Sequence, residues 1–517
     1  MKGGVTLLAV STLLLFAALC LGYRDFTADD SYIVCRCAEN LVDKGALVFN
    51  EGEPVMVFTS PVHVLLNAFL YLITGASLLP YKVLAVIAYL SSVLLVFRLG
   101  RRSGPGLLLG GIVVLVSPCV VLWVFGGLET PLLMFFATLL TSRAVGLARQ
   151  SRRPNGAELA WIYGIAAMAL LTRYDSVVFS AVIVAYATLR ARSPGLAVRA
   201  SLPALLVLLL WFMAAFLYYG DIMPVAFYCK TPGFGFERLM RNALYIVQYL
   251  WLICYIPGIL AVWISCRSLC QWRESVMRAH FMELWWLHAA LGLVVIYGLT
   301  MATSHMMFGF RFFVPFIPVL AFLLSDLVWR AWEACAASDN SQPAFRRRIV
   351  ALACVFLLFQ CSQGLHTYRF SLNGVAIGEC EYRAQGLRAY NSEFMPALAA
   401  AADDIRTHWG KTPGSAARQP RIATFAAGLL PYKYKSAYIY EELVSFRHNV
   451  HEDLASSSDY VHVIWPRHGT LQAQLPKPVN HYRLVSSMSL VFDGAVEHME
   501  VYYDASPLRH RLKPRVD

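Results

Sequence analysis

The sequence predicts an all-α polytopic membrane domain followed by a small α/β domain. Of its 517 residues 58% are hydrophobic and only 15% charged, with a mean hydropathy of +0.54, more apolar matter than a soluble fold of this size needs for its core. Apolar runs of about 17 to 25 residues, the length that crosses a bilayer as a helix, recur up to residue 364. Beyond that point they stop, and helix-like and strand-like segments alternate. The expected division is therefore a transmembrane domain over 1–364 and an extracytoplasmic domain over 365–517.

The first element, residues 4–22 after Met1 and Lys2, is longer than the 7 to 15 residues usual for a signal-peptide core and is expected to be a retained span. A long loop, residues 23–81, follows. It holds the adjacent acids Asp29 and Asp30 in TADDSY, a helix-like segment from Ser31 to Lys44, the turn-rich FNEGEPV, and the apolar stretch 60–77. In that stretch Ser60, His63, Asn67, Tyr71 and Thr74 recur every three or four residues and form one stripe, which suits a helix lying in the membrane interface. Ten further spans are expected at 82–98, 106–125, 130–147, 157–173, 175–191, 200–218, 242–265, 282–302, 312–330 and 348–364, making about eleven in all.

The net charge of +12 would suggest a nucleic-acid partner in a soluble protein. Here the arginines sit in short clusters between spans: Arg98, Arg101 and Arg102; Arg143, Arg149, Arg152 and Arg153; Arg190, Arg192 and Arg199; Arg267, Arg273 and Arg278; Arg330, Arg346, Arg347 and Arg348. If 60–77 does not cross, every cluster falls on the side of Lys2, which the positive-inside rule makes the cytoplasm. Residues 365–517 then lie outside, and no nucleic acid is expected. Twelve cysteines are scattered without metal-ligand spacing, and Cys35 and Cys37, two apart on a predicted helix, point to different faces. Neither a disulfide framework nor a zinc site is expected.

This topology collects the unusual residues on the outer face. Besides the Asp pair there are Glu129 in GGLET, Arg173 and Asp175 in TRYDS, Tyr218, Tyr219, Asp221, Tyr228 and Lys230 in YYGDIMPVAFYCK, and His305 and Arg311 in TSHMMFGFRFF. An ionisable side chain at bilayer depth costs about 2.5 to 3.5 kcal/mol on insertion scales, so such groups face a wet cavity or one another. Simpler roles compete: Asp29 as a helix cap, Arg173 and Asp175 as an ion pair, Lys230 and Arg311 snorkelling to headgroups, Glu129 favoured by a helix dipole. Taken together, the groups suit one polar pocket opening outward. Neighbouring acids supply a general base, and Lys230, Arg173, Arg311 and His305 would bind a donor phosphate, with Glu129, Asp175, Tyr218, Tyr219, Asp221 and Tyr228 lining the substrate site. That is the equipment for moving a group from a lipid phosphate to a hydroxyl. The carboxylates have the chemistry to hold a divalent ion, but no ligand spacing demands one.

The run DDSYIVCRCAENLVDKGALVFNEGEPVMVFTSPVHVLL resembles the first-loop signature of GT-C membrane glycosyltransferases, in particular the branch of terminal arabinofuranosyltransferases of mycobacterial cell-wall arabinan. SPCVVLWVFGGLETPL, LLTRYDSV, YYGDIMPVAFYCK and FGFRFFVPFIP match in order, so the resemblance spans most of the first 330 residues. It implies a polyprenyl-phosphate arabinofuranose donor used on the outer face of the inner membrane, with Asp29 or Asp30 as catalytic carboxylate and Asp29 the first choice. Two departures stand out: Arg173-Tyr174-Asp175 where the family tends to have Arg-Pro-Glu, and Pro224-Val225-Ala226 in place of Pro-Asn-Thr. A different acceptor or a reshaped lipid groove would account for them, and the branch is similar to enzymes that arabinosylate type IV pilin in some Gram-negative bacteria, so the resemblance implies a glycan or a pilin-type protein as acceptor. A branch that adds aminoarabinose to lipid A or mannose to protein carries His-Pro-Pro-Leu where this chain has Ser60-Pro61-Val62-His63. A transporter or flippase would show internal repeats and midplane charges, and neither is evident.

In the C-terminal region a helix is expected near Glu393 to His408 and strands at RIATFAAG, SAYIYEE, DYVHVIWP, HYRLVSSM and HMEVYYD. Tyr432, Tyr434, Tyr438 and Tyr440 are candidate acceptor contacts.

Overall fold

The computed structural model describes residues 2–99, 105–229, 235–252, 273–301, 308–336, 342–369, 386–412, 415, 418–424, 426–440, 458–465, 482–492 and 495–504. Twelve helices occupy the described part up to residue 252: α1 (Lys2–Tyr23), α2 (Asp29–Lys44), α3 (Pro61–Thr74), α4 (Leu78–Leu99), α5 (Pro105–Val116), α6 (Pro118–Phe125), α7 (Thr130–Ala148), α8 (Gly156–Thr172), α9 (Val177–Ala191), α10 (Pro194–Tyr219), α11 (Val225–Cys229) and α12 (Phe236–Leu252). Long helices follow at Arg273–Met301, Ile317–Ala336 and Gln342–Arg369. Among the described residues six helical segments are long and apolar enough to cross a membrane, namely Thr6–Tyr23, Leu78–Leu99, Thr130–Ala148, Tyr174–Ala191, Pro194–Tyr219 and Met277–Thr300. The protein is thus a multi-pass membrane protein with a small C-terminal sheet.

The chain gathers into two compact units that interleave in sequence. The first comprises Met1–Phe26, Lys82–Trp211 and Gly233–Gly378, and the second Thr27–Tyr81, Phe212–Pro232 and Glu379–Asp517.

The first unit is helical. The single span expected over 106–125 is two helices, α5 and α6, broken between Ser117 and Pro118. Proline has no N–H to give to the carbonyl four residues back and its ring crowds that carbonyl, so the helix restarts with Pro118 in its first turn. The freed carbonyls of Val114 and Leu115 accept from the Tyr89 hydroxyl, at 3.4 and 3.3 Å. α5 packs against Ile317–Ala336 so closely that a Cβ on Gly110 would lie 1.9 Å from Ser325 Oγ and 3.0 Å from the Ala321 carbonyl. Small residues at such crossings replace the hydrophobic drive that is absent in lipid. α8 starts with a capping box: Asn155 accepts the Glu158 N–H at 2.9 Å and Glu158 accepts that of Asn155 at 2.9 Å. The leucines of α10, among them Leu205, Leu206, Leu209 and Leu210, are exposed, the face that lipid would cover.

The second unit joins the first loop to the C-terminal sheet. α2 carries Asp29 and Asp30 in its first turn, where acids suit the helix dipole, and ends at Gly45, whose φ of 68° needs a residue without Cβ. α3 has 14 residues, about 21 Å, short of a hydrocarbon core of about 30 Å. Ser60, His63 and Asn67 of its predicted polar stripe are buried, whereas Tyr71 is half-buried and Thr74 is exposed, as are Leu65, Phe69, Leu72 and Ile73. The C-terminal strands are β1 (Arg421–Thr424), β2 (Tyr438–Tyr440), β3 (Tyr460–Trp465), β4 (Tyr482–Phe492) and β5 (Ala495–Asp504), in the order β2-β1-β3-β5-β4. β1 is parallel to β2 and β3, and β5 is antiparallel to β3 and β4. The helix Met395–Gly410 packs on β4 and β5 through a face of small and apolar residues that includes Ala401, Ala402, Ile405 and Trp409. All five expected strands and the expected helix are present.

Candidate active site

Within the first unit Glu129, Arg173, Asp175 and Arg311 form one buried ionic cluster. The backbone reason is local: α8 ends at Arg173, which is extended at φ −156° and ψ 124°, and a single tight turn over Tyr174–Ser176 starts α9. Glu129 sits immediately before α7. Its Oε1 accepts from Arg173 Nη1 and from Arg311 Nη2, both at 2.9 Å. Arg173 also grips Asp175 with two parallel bonds, Nε to Oδ1 at 3.0 Å and Nη2 to Oδ2 at 2.5 Å. The Arg311 guanidinium lies 5.2 Å from the centre of the Trp123 ring. Two cations and two anions thus meet, and Arg173 spends all three of its nitrogens on carboxylates. The ion pair weighed for Arg173 and Asp175 is present, and Glu129 extends it to a second arginine.

In the second unit Tyr218 and Tyr219 end α10, Asp221 lies in the turn that follows, and Tyr228 is on α11. Gly220, at φ 72°, reverses the chain in that turn. Asp221 Oδ1 accepts the Met223 N–H at 3.1 Å and the Tyr228 hydroxyl at 2.9 Å, closing the turn. Tyr219 is buried, with its hydroxyl on the Leu47 carbonyl at 2.7 Å, so it ties this turn to the first loop. Tyr218 and Tyr228 are exposed, Tyr218 with its ring edge-on to Tyr219 and Tyr228 edge-on to Phe227. Lys230 and His305 lie outside the described residues.

Asp29 and Asp30 open α2, both half-buried. Asp29 does not cap its own helix: Ala28 occupies the cap position. Its carboxylate instead accepts the N–H of Gly428 on Oδ2 at 3.0 Å and of Leu429 on Oδ1 at 2.7 Å, at the start of the short helix Leu429–Lys433. Its own N–H donates to the Tyr390 hydroxyl at 3.0 Å, and that hydroxyl donates to the Thr27 carbonyl at 3.2 Å. Burial raises the Asp29 carboxyl to about 6; the Leu429 N–H opposes the rise, the charge on Asp30 adds to it, and the Gly428 N–H opposes it again.

Sequence reasoning missed the rest of this arrangement. Asp29, Tyr32, Arg36 and Glu39 are spaced three, four and three apart and so share one face of α2. Each holds the segment 428–437. The Tyr32 ring lies 5.1 Å from that of Tyr432. Arg36, buried, donates to the carbonyls of Pro431, Ala437 and Phe49, each at 2.9 Å. Glu39, also buried, accepts from Tyr432 at 2.7 Å, from Ser77 at 2.7 Å and from Lys435. The signal was in the sequence as a periodic row of polar residues. Of the four tyrosines considered for acceptor contact, Tyr432 is thus engaged internally, Tyr434 lies under Arg406 at 5.3 Å, and Tyr438 donates to Glu53 at 2.7 Å.

Also unanticipated is a second ionic cluster in the first unit. Arg149 donates to Asp326 at 2.8 Å and Glu283 at 3.2 Å, Arg330 to the same two acids at 2.6 and 2.5 Å, and His280 meets Asp326 at 2.8 Å. Two arginines read as topology signals are therefore also paired. Among the described residues no three His, Cys, Asp or Glu side chains cluster as metal ligands. An apolar cavity of about 430 Å³ lies between α8, α9 and α10, lined by residues that include Ala166, Leu170, Val177, Val184, Ala204 and Leu208.

No protein-family model matches the chain, and no curated protein matches it by sequence. Solved structures do. The chain is similar to crystal structures of ArnT from Cupriavidus metallidurans. Against the apo state the TM-score is 0.57 at 14% identity, covering 98% of each chain. Against the state bound to undecaprenyl phosphate it is 0.54 at 13% identity, covering 98% of this chain and 99% of the other. At that identity the likeness shows the fold alone: over nearly its whole length this chain shares the architecture of those ArnT structures.

Proposed function

We propose that this protein is a glycosyltransferase that moves a pentose, arabinofuranose, from a polyprenyl-phosphate donor to a hydroxyl of a glycan or pilin-type protein acceptor at the outer face of the plasma membrane. The observation that carries the reading is the likeness over the whole chain to a fold solved with undecaprenyl phosphate bound, together with a carboxylate pair opening α2. The arabinofuranose donor rests on the first-loop resemblance. Another lipid-phosphate sugar on the same fold is the alternative.

In the reaction the acceptor hydroxyl oxygen bonds to the anomeric carbon as the bond from that carbon to the phosphate oxygen breaks. The hydroxyl proton passes to a carboxylate of the Asp29 and Asp30 pair, and the polyprenyl phosphate leaves with the bonding electrons. A carboxyl with a value near 6 is ionised at neutral pH yet basic enough to take a proton. Lys230, Arg311 and His305 are the donor-phosphate candidates. Arg173, already paired with Asp175 and Glu129, supports that role through the cluster it builds. The cavity between α8, α9 and α10 has the apolar lining an isoprenoid tail requires.

The test is incubation of purified protein with radiolabelled polyprenyl-phospho-arabinose and candidate glycan and pilin acceptors, followed by product analysis. Transfer is expected with wild type. Asp29→Asn and Asp30→Asn should each lower turnover by at least about 100-fold while donor binding persists. Full turnover in both variants would remove the carboxylate pair from the chemistry.

A further inference from the structure

The contact between Asp29 and residues 428–429 joins positions 400 apart in sequence, and it is unusually close. A Cβ on Gly428 would lie 2.1 Å from the Asp29 carbonyl oxygen and 2.4 Å from the Asp29 carboxyl carbon. Since the first obstacle is helix backbone, no rotamer change relieves it, and only glycine lets the two chains approach this far. Both carboxylate oxygens are taken by the amides of Gly428 and Leu429, one each, so the plane of the carboxylate is fixed by the C-terminal segment. That segment is moored independently along α2 by Tyr32, Arg36 and Glu39. Asp30, one residue on, is turned about 100° around the helix axis from this row.

We propose that Gly428 and Leu429 are positioning residues of the transfer reaction, an amide clamp by which the C-terminal segment sets the orientation of the Asp29 carboxylate toward the acceptor hydroxyl. The inference rests on the glycosyltransferase reading and adds a second part of the chain to its active site. An unclamped carboxylate has free rotation about its side-chain bonds, and misplacing a reacting group by an ångström costs on the order of 100-fold in rate. Around the clamp stand Asp30, Tyr32 and Tyr390; burial pushes both phenols up, Tyr32 to about 12, so neither titrates near neutrality.

The experiment compares wild type, Gly428→Ala and Leu429→Pro in full-length purified protein. Gly428→Ala forces the chains apart. Leu429→Pro deletes one donor N–H at a first helical position, where proline is tolerated. Both should fold, with kcat lowered at least about tenfold and donor KM within about twofold of wild type. The pH of half-maximal rate should also rise, because the amides that favour the ionised carboxylate are withdrawn. A merely structural role would not move that inflection. Wild-type kcat and an unmoved inflection in either folded variant would overturn the clamp. So would loss of fold in both, since three other moorings should hold the segment. Failure of wild type to transfer from any lipid-phosphate sugar would instead overturn the underlying reading, whereas an inactive Asp29→Asn beside a fully active Gly428→Ala would overturn the clamp alone.

Discussion

Replacing Glu129 tests the ionic cluster that joins Arg173 to Arg311. Glu129 is 2% exposed, and its Oε1 accepts two guanidinium bonds at 2.9 Å. Glu129→Gln keeps the shape and an acceptor oxygen but removes the charge. Both donors remain charged guanidiniums, so the two bonds stay charge-assisted and lose only the ion–ion attraction, a smaller cost than losing the acceptor altogether. Glu129→Ala removes the shared anion altogether and belongs to the class of broken buried pairs, at about 3 to 5 kcal/mol. Arg173 retains its two bonds to Asp175 in either variant. The assay is thermal unfolding of detergent-solubilised protein followed by tryptophan fluorescence, with a double-mutant cycle between Glu129 and Arg311. The midpoint should fall in the order wild type, Gln, Ala, and the cycle should give a coupling of at least about 1 kcal/mol. Midpoints equal to wild type in both variants, or additive losses in the cycle, would refute the cluster as a structural unit.

Other outcomes follow from the same geometry. Arg36→Ala removes three buried donors to backbone carbonyls and should raise hydrogen exchange across residues 428–437, with a loss of about 3 kcal/mol or more; unchanged protection there would contradict the mooring role. The transfer rate should rise with pH through about 6, because burial raises the Asp29 carboxyl and only its ionised form accepts a proton. A pH–rate profile flat from 5 to 8 would exclude Asp29 as the titrating base.

Several features were legible in the chain because they rest on local physics. Apolar runs of bilayer length predict helices wherever water is absent to bond the backbone, and α1, α4, α7 and α10 form where expected. The stripe from Ser60 to Thr74, recurring every three or four residues, anticipated a two-faced α3, and strand-like segments marked β1 to β5. Pro118 was equally visible, yet the expected single span over 106–125 passed over it. Apolarity measures transfer into lipid and is blind to one missing N–H.

The candidate acids and cations were readable as charges out of place, since an ionisable group beside an apolar run demands a reason. Their partners were not. Which arginine takes Glu129, and that Asp29 is held by amides at 428 and 429, depends on chain segments up to 400 residues apart being brought within 3 Å. Spacing along the chain encodes neighbours one helical turn away. Beyond that range contacts are decided by how whole elements pack, and a glycine such as Gly428 is indistinguishable in sequence from any other turn residue. The amino-acid order therefore determined a multi-pass helical protein with a small mixed sheet and marked its candidate site residues, while the tertiary fold alone decided which carboxylate accepts the amides of 428 and 429, which arginines share Glu129, and which part of the C-terminal region touches α2.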